Sequence, residues 1–314
     1  MNHSTFWLTA NDHSRLYVNQ WLPDGPAKAM IMLSHGMAEH SGRYARLAQA
    51  LCAAGYGLYA PDQRGHGRTA DEGTLGLYAE HDGWNKVVGD LASLNQHIGQ
   101  QHPGLPIILL GHSMGSYIAQ AYLLHHSASL SGAALSGSNF QPVALYRAAR
   151  VIARIERARQ GLRGRSALID FLSFGSFNKA FKPNRTAFDW LSRDPAEVDK
   201  YINDPLCGFR CTNQLWVDLL GGLQQISKAS NLAQIDPGLP ILVTGGECDP
   251  VSEGKRLTHL ANALREAGCR HVQLTIYPQA RHEVFNETNR DQVTADLLTW
   301  LDQALTLHRP ARCE

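Results

Sequence analysis

The chain has 314 residues, of which 44% are hydrophobic and 18% charged, and its formal net charge is +1. This composition is typical of a soluble globular protein with a substantial core, and the length fits one large domain or two small ones. Nucleic-acid binding draws most of its affinity from clustered positive charge, so a nearly neutral chain without a dense basic run is not expected to bind nucleic acid.

The chain shows no sign of export, membrane insertion or metal binding. Its first ten residues lack the basic and apolar regions of a signal peptide, and no apolar run reaches the length of a membrane span. The six cysteines are scattered, and the closest pair, Cys207 and Cys211, has no partner group nearby in the sequence. We therefore expect a cytoplasmic protein with six reduced thiols, no metal and no organic cofactor.

Short apolar runs alternate with amphipathic helical patterns, which predicts an α/β fold with a mostly parallel central sheet flanked by helices. The turn residues Asn11 and Asp12 first predict a hairpin between strands at 4–9 and 15–21. The later strands are predicted at 29–34, 56–60, 106–110, 132–135, 239–243 and 272–277. Helices are predicted at 44–54, 84–100, 114–125, 255–267 and 288–307.

The alternation fails between residues 140 and 225, a segment too long for a loop in a compact domain. We predict that residues 140–225 form a helical cap inserted into a core of residues 1–139 and 226–314. Its phenylalanines should pack as a small core of their own or roof an apolar pocket. Its arginine-rich stretch, residues 147–165, is interpreted either as a solvated helix face or as a positive surface for anionic lipid or substrate.

The pentapeptide Gly111-His112-Ser113-Met114-Gly115 lies between a predicted strand and a predicted helix. This is the setting of a nucleophile elbow, a strained turn that exposes a serine hydroxyl at the carboxyl end of a strand. Gly111 and Gly115 suit so tight a bend because they carry no side chain. An ordinary turn that happens to contain serine is the alternative, and the flanking strand and helix favour Ser113 as a nucleophile.

A serine hydroxyl needs a base to take its proton, and in such elbows an acid and then a histidine follow the serine along the chain. His282 follows the last predicted strand, so it should lie at the same sheet edge as Ser113, whereas His112 is expected to point away. Asp249 follows the preceding strand and is expected to hold the imidazole. Glu247 is its rival, and a helix N-cap is the alternative role for Asp249.

Acyl transfer also needs hydrogen-bond donors for the oxyanion of a tetrahedral intermediate. One expected donor is the backbone N–H of Met114, directly after the proposed nucleophile. The second is the N–H of Met37, which follows the turn residues His35 and Gly36 after the strand at 29–34. A plain turn at these two residues is the alternative.

These motifs resemble those of the monoacylglycerol lipase and lysophospholipase group of the α/β-hydrolases. The matching segments are 34–44 (SHGMAEHSGRY), 62–67 (DQRGHG), 109–115 (LLGHSMG), 203–206 (NDPL) and 281–282 (RH). The resemblance implies an acyl-enzyme mechanism, cap helices that guide an acyl chain to Ser113, and oxyanion donors at Met37 and Met114. It implies monoacylglycerols, lysophospholipids or short to medium acyl esters as substrates.

Two other functions compete with ester hydrolysis. One is a serine aminopeptidase of the same fold, although related iminopeptidases carry tryptophan where this chain has Met114. The other is a non-catalytic binding protein, which would have no need of a complete serine, aspartate and histidine set. The expected partner is a small ester or lipid, with transient contact between the cap and a membrane surface and so peripheral membrane association. The sequence does not indicate the oligomeric state.

Overall fold

The computed structural model describes residues 1–307, except the side chain of Glu72. Cys313, one of the six expected thiols, lies outside the described residues. The eight strands are β1 Asn2–Thr9, β2 Arg15–Leu22, β3 Ala29–Ser34, β4 Tyr56–Pro61, β5 Ile107–His112, β6 Gly132–Ser136, β7 Ile241–Gly246 and β8 Val272–Tyr277. The α-helices are α1 Ala45–Ala53, α2 Gly83–Gln101, α3 Met114–His126, α4 Val143–Gln160, α5 Ala167–Phe174, α6 Pro195–Asn203, α7 Asn213–Ile226, α8 Ala229–Leu232, α9 Arg256–Glu266 and α10 Arg290–Leu307.

The strands form one sheet in the order β1-β2-β4-β3-β5-β6-β7-β8. The pairs β1–β2 and β2–β4 are antiparallel, and every later pair is parallel. The predicted strands at 29–34 and 272–277 have the observed bounds, whereas the one predicted at 239–243 begins later and reaches Gly246. The alternation of apolar runs and helical patterns thus predicted the mostly parallel sheet correctly.

The central strands bury both of their faces, as parallel strands covered by helices do. Because side chains alternate along a strand, Met30 and Met32 join the core on the side of α2 and α3. Ile31 and Leu33 join the core on the side of α1 and α10. The apolar run of β3 is therefore continuous in sequence but divided between two hydrophobic layers.

The strand order creates a crevice at one edge of the sheet, where a ligand could bind. From β3 the chain crosses to β4 on one side, and β5 then pairs with β3 on the other. Such a reversal opens a crevice at the carboxyl ends of the two strands, where α/β proteins bind their ligands. The loop after Ser34 and the turn after His112 both begin at this crevice.

The described residues between β6 and β7 form helices α4 to α8 and turns, without a strand. Helix α7 packs against α4 on one side and against α3 of the core on the other. The Asn213 side chain of α7 strengthens the contact with α4 by donating hydrogen bonds to the carbonyls of Glu156 and Gly161. A small hydrophobic cluster, separate from the two core layers, contains Trp190 and Tyr201. Within residues 1–307, no helix combines the length and apolar character needed to cross a lipid bilayer.

Candidate active site

Ser113 occupies a sharp turn between β5 and α3. Its backbone has φ 52° and ψ −122°, a conformation that residues with a side chain rarely adopt. A Cβ on Gly111 would lie 2.6 Å from the carbonyl oxygen of Gly115, and one on Gly115 would overlap the carbonyl group of Ser34. The turn is therefore sterically possible only with glycine at both positions, and it lifts the Ser113 hydroxyl above the sheet edge.

Three predicted residues from separate loops meet at this edge. His282 Nε2 lies 2.8 Å from Ser113 Oγ, and His282 Nδ1 lies 3.0 Å from Asp249 Oδ1. His282 is 3% exposed and Asp249 1% exposed. With Nδ1–H donated to the carboxylate, Nε2 is the acceptor for the serine hydroxyl, which is the arrangement of a general base.

The alternative role considered for Asp249, a helix N-cap, is wrong because the next helix, α9, begins at Arg256 and is preceded by Lys255. Asp249 Oδ1 instead accepts a hydrogen bond of 2.8 Å from the N–H of Val251, so the carboxylate holds its own loop as well as His282. The rival Glu247 is exposed and accepts from the N–H of Gln279, at 3.0 Å. Of the two carboxylates in this loop, Asp249 is the one that the structure brings to His282.

The loop after β3 approaches Ser113 from the opposite side. A Cβ on Gly36 would lie 3.3 Å from Ser113 Cβ. His35 is buried, its Nε2 accepts from Gln63 N–H at 3.0 Å, and its Nδ1 donates to Gly36 C=O at 2.8 Å. In a trans peptide the N–H points away from the C=O, so this bond turns the Met37 N–H away from His35. Met114 is the first residue of α3, which places its N–H beside the serine.

Comparison with known proteins places this chain in a family. The family described as "Serine aminopeptidase, S33" matches residues 25–289. A monoacylglycerol lipase of Mycolicibacterium smegmatis is 31% identical over 309 residues, covering 93% of this chain and 97% of the relative. The chain belongs to the serine aminopeptidase S33 family.

Other relatives of this S33 chain agree with the resemblance predicted from its motifs. A monoglyceride lipase of Homo sapiens is 30% identical over 292 residues, covering 90% of this chain and 88% of the relative. The crystal structure of a thermostable carboxyl esterase from Bacillus coagulans superposes with a TM-score of 0.89 at 25% identity, covering 97% of this chain and 99% of that one. The predicted α/β-hydrolase fold and the likeness to monoacylglycerol lipases are therefore confirmed.

In this S33 chain, Ser113 and His282 line a cavity of about 750 Å³ under the helices that follow β6. The lining of this cavity is rich in aromatic side chains, which are Phe171, Phe174, Phe188, Trp190, Tyr201 and Phe209. The phenylalanines of this segment therefore do both things predicted for them. Phe174, Phe177 and Phe188 pack with Trp190 and Tyr201, and several of them also roof the cavity.

His112 was expected to point away from Ser113, but its surroundings tie it to the site. Its ring lies against that of His282, with centroids 4.9 Å apart, and its Nδ1 is 3.3 Å from Ser136 Oγ. Burial, together with the neighbouring His282, lowers the pKa of His112 to about 4. His112 is therefore neutral at physiological pH and packs against His282 without adding a charge.

A group of His40, Asp204 and Cys207 places one possible metal-ligand atom from each residue within 4.8 Å of the others. His40 Nδ1 accepts from the N–H of Gly42 at 3.2 Å, so Nε2 carries the proton and donates to Asp204 at 2.8 Å. Burial raises the pKa of the Cys207 thiol, which disfavours the thiolate that metals bind. The His40 and Asp204 side chains already bond to each other and so fasten residue 204 to the loop after β3, and the Cys207 thiol stays protonated, so the group does not fit a metal.

Three charged residues beside the site were not predicted from the sequence. Arg43 forms salt bridges of 2.7 Å with both Glu39 and Glu283, and all three side chains are buried. The spacing of Glu39 and Arg43, four residues apart, is a weak signal for such a pair. No local pattern indicates Glu283, which lies 240 residues further along the chain.

Proposed function

We propose that this protein is a serine carboxylic-ester hydrolase that acts through an acyl-enzyme on monoacylglycerols, lysophospholipids or related acyl esters. The observation that carries the proposal is the hydrogen-bonded series from Ser113 through His282 to Asp249 on the wall of an aromatic cavity. Relatives named monoacylglycerol lipase and monoglyceride lipase cover most of the chain and support the same substrate class.

The geometry supports a two-step mechanism. His282 takes the proton of Ser113 as its Oγ attacks the ester carbonyl, and the N–H groups of Met37 and Met114 bind the oxyanion. His282 then gives the proton to the leaving alcohol, and the acyl group stays on Ser113. In the second step His282 activates a water, which attacks the acyl-enzyme and releases the acid. Asp249 stabilises the imidazolium that forms in both steps.

The charges in the cavity favour an ester over an amino-terminal peptide. Binding the ammonium group of a peptide would need a free carboxylate close to Ser113. Glu39 and Glu283 line the cavity, but both are paired with Arg43. Asp170 pairs with Arg210 at 3.2 Å. A largely aromatic cavity whose carboxylates are already hydrogen-bonded to arginines suits an acyl chain, whose binding derives from apolar burial.

The cavity predicts a preference for medium or long acyl chains. We expect kcat/KM to rise from acetate to longer p-nitrophenyl esters and monoacylglycerols, because each buried methylene contributes about 0.8 kcal/mol. Phe174→Ala should lower kcat/KM for the longest esters and leave that for acetate nearly unchanged, so acetate is the internal control. A sharp preference for acetate would refute the lipid substrate while leaving the esterase intact.

A second prediction concerns pH. Burial by itself lowers the pKa of His282, but the charge and hydrogen bond of Asp249, with Glu283 and Glu39, outweigh burial and raise it. His282 must be neutral to accept a proton, so activity should fall as pH falls through this raised pKa. We expect the acid limb of a kcat/KM–pH profile to have its midpoint above pH ~6.5, the ordinary value for histidine. Full activity down to pH ~5 would contradict the role of His282.

We also propose that the outer surface of α4 and α5 contacts an anionic lipid surface. Helix α4 buries Tyr146 and Ala153 but exposes Ile155, which is 60% accessible, and α5 exposes Leu172, which is 57% accessible. Residues 145–165 carry seven arginines against one glutamate, Glu156. Apolar side chains among cations are the composition of helices that lie on anionic membranes.

Vesicle sedimentation tests this contact. The protein should bind vesicles of mixed phosphatidylcholine and phosphatidylglycerol, and less at high salt, because salt screens the arginines. Ile155→Ser with Leu172→Ser should reduce binding by about tenfold or more, since each exposed side chain buries apolar area in the membrane. Leu307→Ser, which removes an exposed apolar side chain on α10, is the matched control. Equal binding by the double variant and the control would refute the surface.

A further inference from the structure

A buried ionic cluster lies beside Ser113 and takes no part in the proton transfers above. Arg43 Nη1 donates to Glu39 Oε2 at 2.7 Å, and its two terminal nitrogens donate to the two oxygens of Glu283, each at 2.7 Å. The side chains of Arg43, Glu39 and Glu283 are 9%, 4% and 6% exposed. Burying two carboxylates and one guanidinium is costly, so the cluster needs an explanation.

One of its carboxylates holds the loop that carries Met37. Glu39 Oε1 accepts from the N–H of Gly36 at 2.5 Å and from the hydroxyl of Tyr44 at 2.9 Å. His35 holds the carbonyl of the same Gly36. With its N–H and C=O both held, Gly36 has little freedom to rotate, and the Met37 N–H that follows it is oriented by these two bonds.

The other carboxylate belongs to the loop of the general base. Glu283 directly follows His282, and its backbone N–H donates to the carbonyl of Leu191 at 2.8 Å. The bidentate bond from Arg43 therefore sets the distance between the His282 loop and the loop of Gly36 and Met37. A guanidinium is suited to this task because its planar fork fixes direction as well as distance.

The helical segment after β6 contributes to the same cluster. The ring of Tyr201 lies 4.9 Å from the Arg43 guanidinium carbon, and its hydroxyl donates to the carbonyl of Ala38 at 3.0 Å. The N–H of Gly208 donates to that carbonyl at 2.9 Å. Ala38 has φ +53°, which is unfavourable for alanine, so these bonds hold the loop in a conformation that it would not keep alone.

We propose that Arg43 is a positioning residue: by joining Glu39 to Glu283 it holds the Met37 N–H and His282 in register on the two sides of Ser113. This inference rests on the proposed esterase function and goes beyond it, because it assigns the oxyanion geometry to a side chain that touches no substrate. Burial opposes ionisation of Glu39, but Arg43 above all outweighs it and lowers the pKa of that carboxyl. Removing Arg43 would leave two buried carboxylates facing each other.

The consequence for rate follows from geometry. Losing one oxyanion donor costs about 10²- to 10³-fold in kcat, and a misplacement of about 1 Å can cost about 10²-fold. Without Arg43 the Met37 N–H would be displaced but still present. The expected loss is therefore about 10- to 100-fold in kcat, with little change in KM because the oxyanion exists only in the transition state and intermediate.

The test compares variants by turnover for each functional active site. Arg43→Met, Arg43→Lys and Glu39→Gln would be assayed on a p-nitrophenyl ester, with titration to completion by a fluorophosphonate probe giving the concentration of competent sites. Compared with Arg43→Met, Arg43→Lys should have a higher thermal stability because it keeps the positive charge. Its kcat should stay low, since an ammonium cannot make the bidentate bond. Should Arg43→Met fail to fold, Arg43→Lys and Glu39→Gln decide the question.

Arg64 offers a matched control. It is equally buried, at 7% exposure, and its guanidinium bonds to Asp12 and Asp90, at 2.6 Å to each. Arg64→Lys should lose stability while its kcat per competent site stays within about twofold of the unaltered protein.

The possible outcomes separate this inference from the function on which it rests. A fall in kcat per competent site of about tenfold or more in the Arg43 and Glu39 variants, at unchanged KM, supports the inference. Unchanged kcat per site with fewer competent sites would show a purely structural role and overturn it. A raised KM at constant kcat would overturn it too, because Arg43 would then shape substrate binding. If the unaltered protein neither hydrolyses the ester nor reacts with the probe, the proposed function and this inference are overturned together.

Discussion

Replacing Ser113 with alanine is expected to lower kcat/KM on the best ester by about 10⁴-fold or more, because no acyl-enzyme can then form. The fold should survive, since the variant removes one oxygen and an alanine at this position would keep the same backbone contacts. Steady-state hydrolysis of a p-nitrophenyl ester measures kcat/KM, and circular dichroism measures whether the variant is folded. Ser93→Ala, which removes a buried hydroxyl that bonds Gly89 C=O within α2, should keep full activity.

The same pair of variants separates an enzyme from a non-catalytic binding protein. A fluorophosphonate probe reacts with a serine that has been activated by a neighbouring base, so the unaltered protein and Ser93→Ala should be labelled with one probe per chain. Ser113→Ala should stay unlabelled. If the unaltered protein also resisted the probe while binding lipid, the hydrolase proposal would be wrong and the binding alternative would stand.

Replacing Asp249 with asparagine should lower kcat by about 10⁴-fold, the scale expected when the residue that orients the imidazole loses its charge. An amide can still accept from His282, but it cannot stabilise the imidazolium. The amide N–H can also donate a hydrogen bond to Nδ1 and so favour the wrong tautomer of His282. Steady-state kinetics on the same ester would measure the loss.

Glu247 provides the matched control for Asp249, since it lies in the same loop and differs in burial and partners. Glu247→Gln removes the charge of an exposed carboxylate that accepts from the N–H of Gln279, so the activity of this variant should stay within about twofold of the unaltered protein.

Loss of the Asp249 charge should also lower the pKa of His282, because that charge is the main attraction that raises it. A Glu247 variant as impaired as the Asp249 variant would show that the acid had been assigned to the wrong residue.

Much of this protein could be predicted from local patterns. The strand before Ser113 and the helix after it are recognisable from a few consecutive residues, because apolar periodicity and glycine placement act over short distances. Asp249 and His282 followed from their positions after predicted strands, because the carboxyl ends of parallel strands meet at one sheet edge. Each of these inferences needs only the chain order and the direction of the strands.

The packing of His112 was less predictable. A histidine inside the elbow belongs to β5 by its position, and the sequence indicated only that it points away from the serine. Its contact with the His282 ring depends on how the loop after β8 folds back over the sheet edge. That path is set by bonds such as the one from Glu283 N–H to Leu191 C=O, which join segments far apart in the chain.

The sequence by itself determined the class of fold, the elbow and the order of the residues proposed to act on substrate. Only the tertiary structure decided how the two loops beside Ser113 are held together, through Arg43 between Glu39 and Glu283, and how aromatic side chains from the segment between β6 and β7 enclose the cavity. The physical reason is range: periodicity and turn chemistry are properties of neighbouring residues. A buried ion pair or a cavity wall, in contrast, exists only after distant segments have packed. The same pattern of strands and helices is compatible with many different sets of long-range contacts.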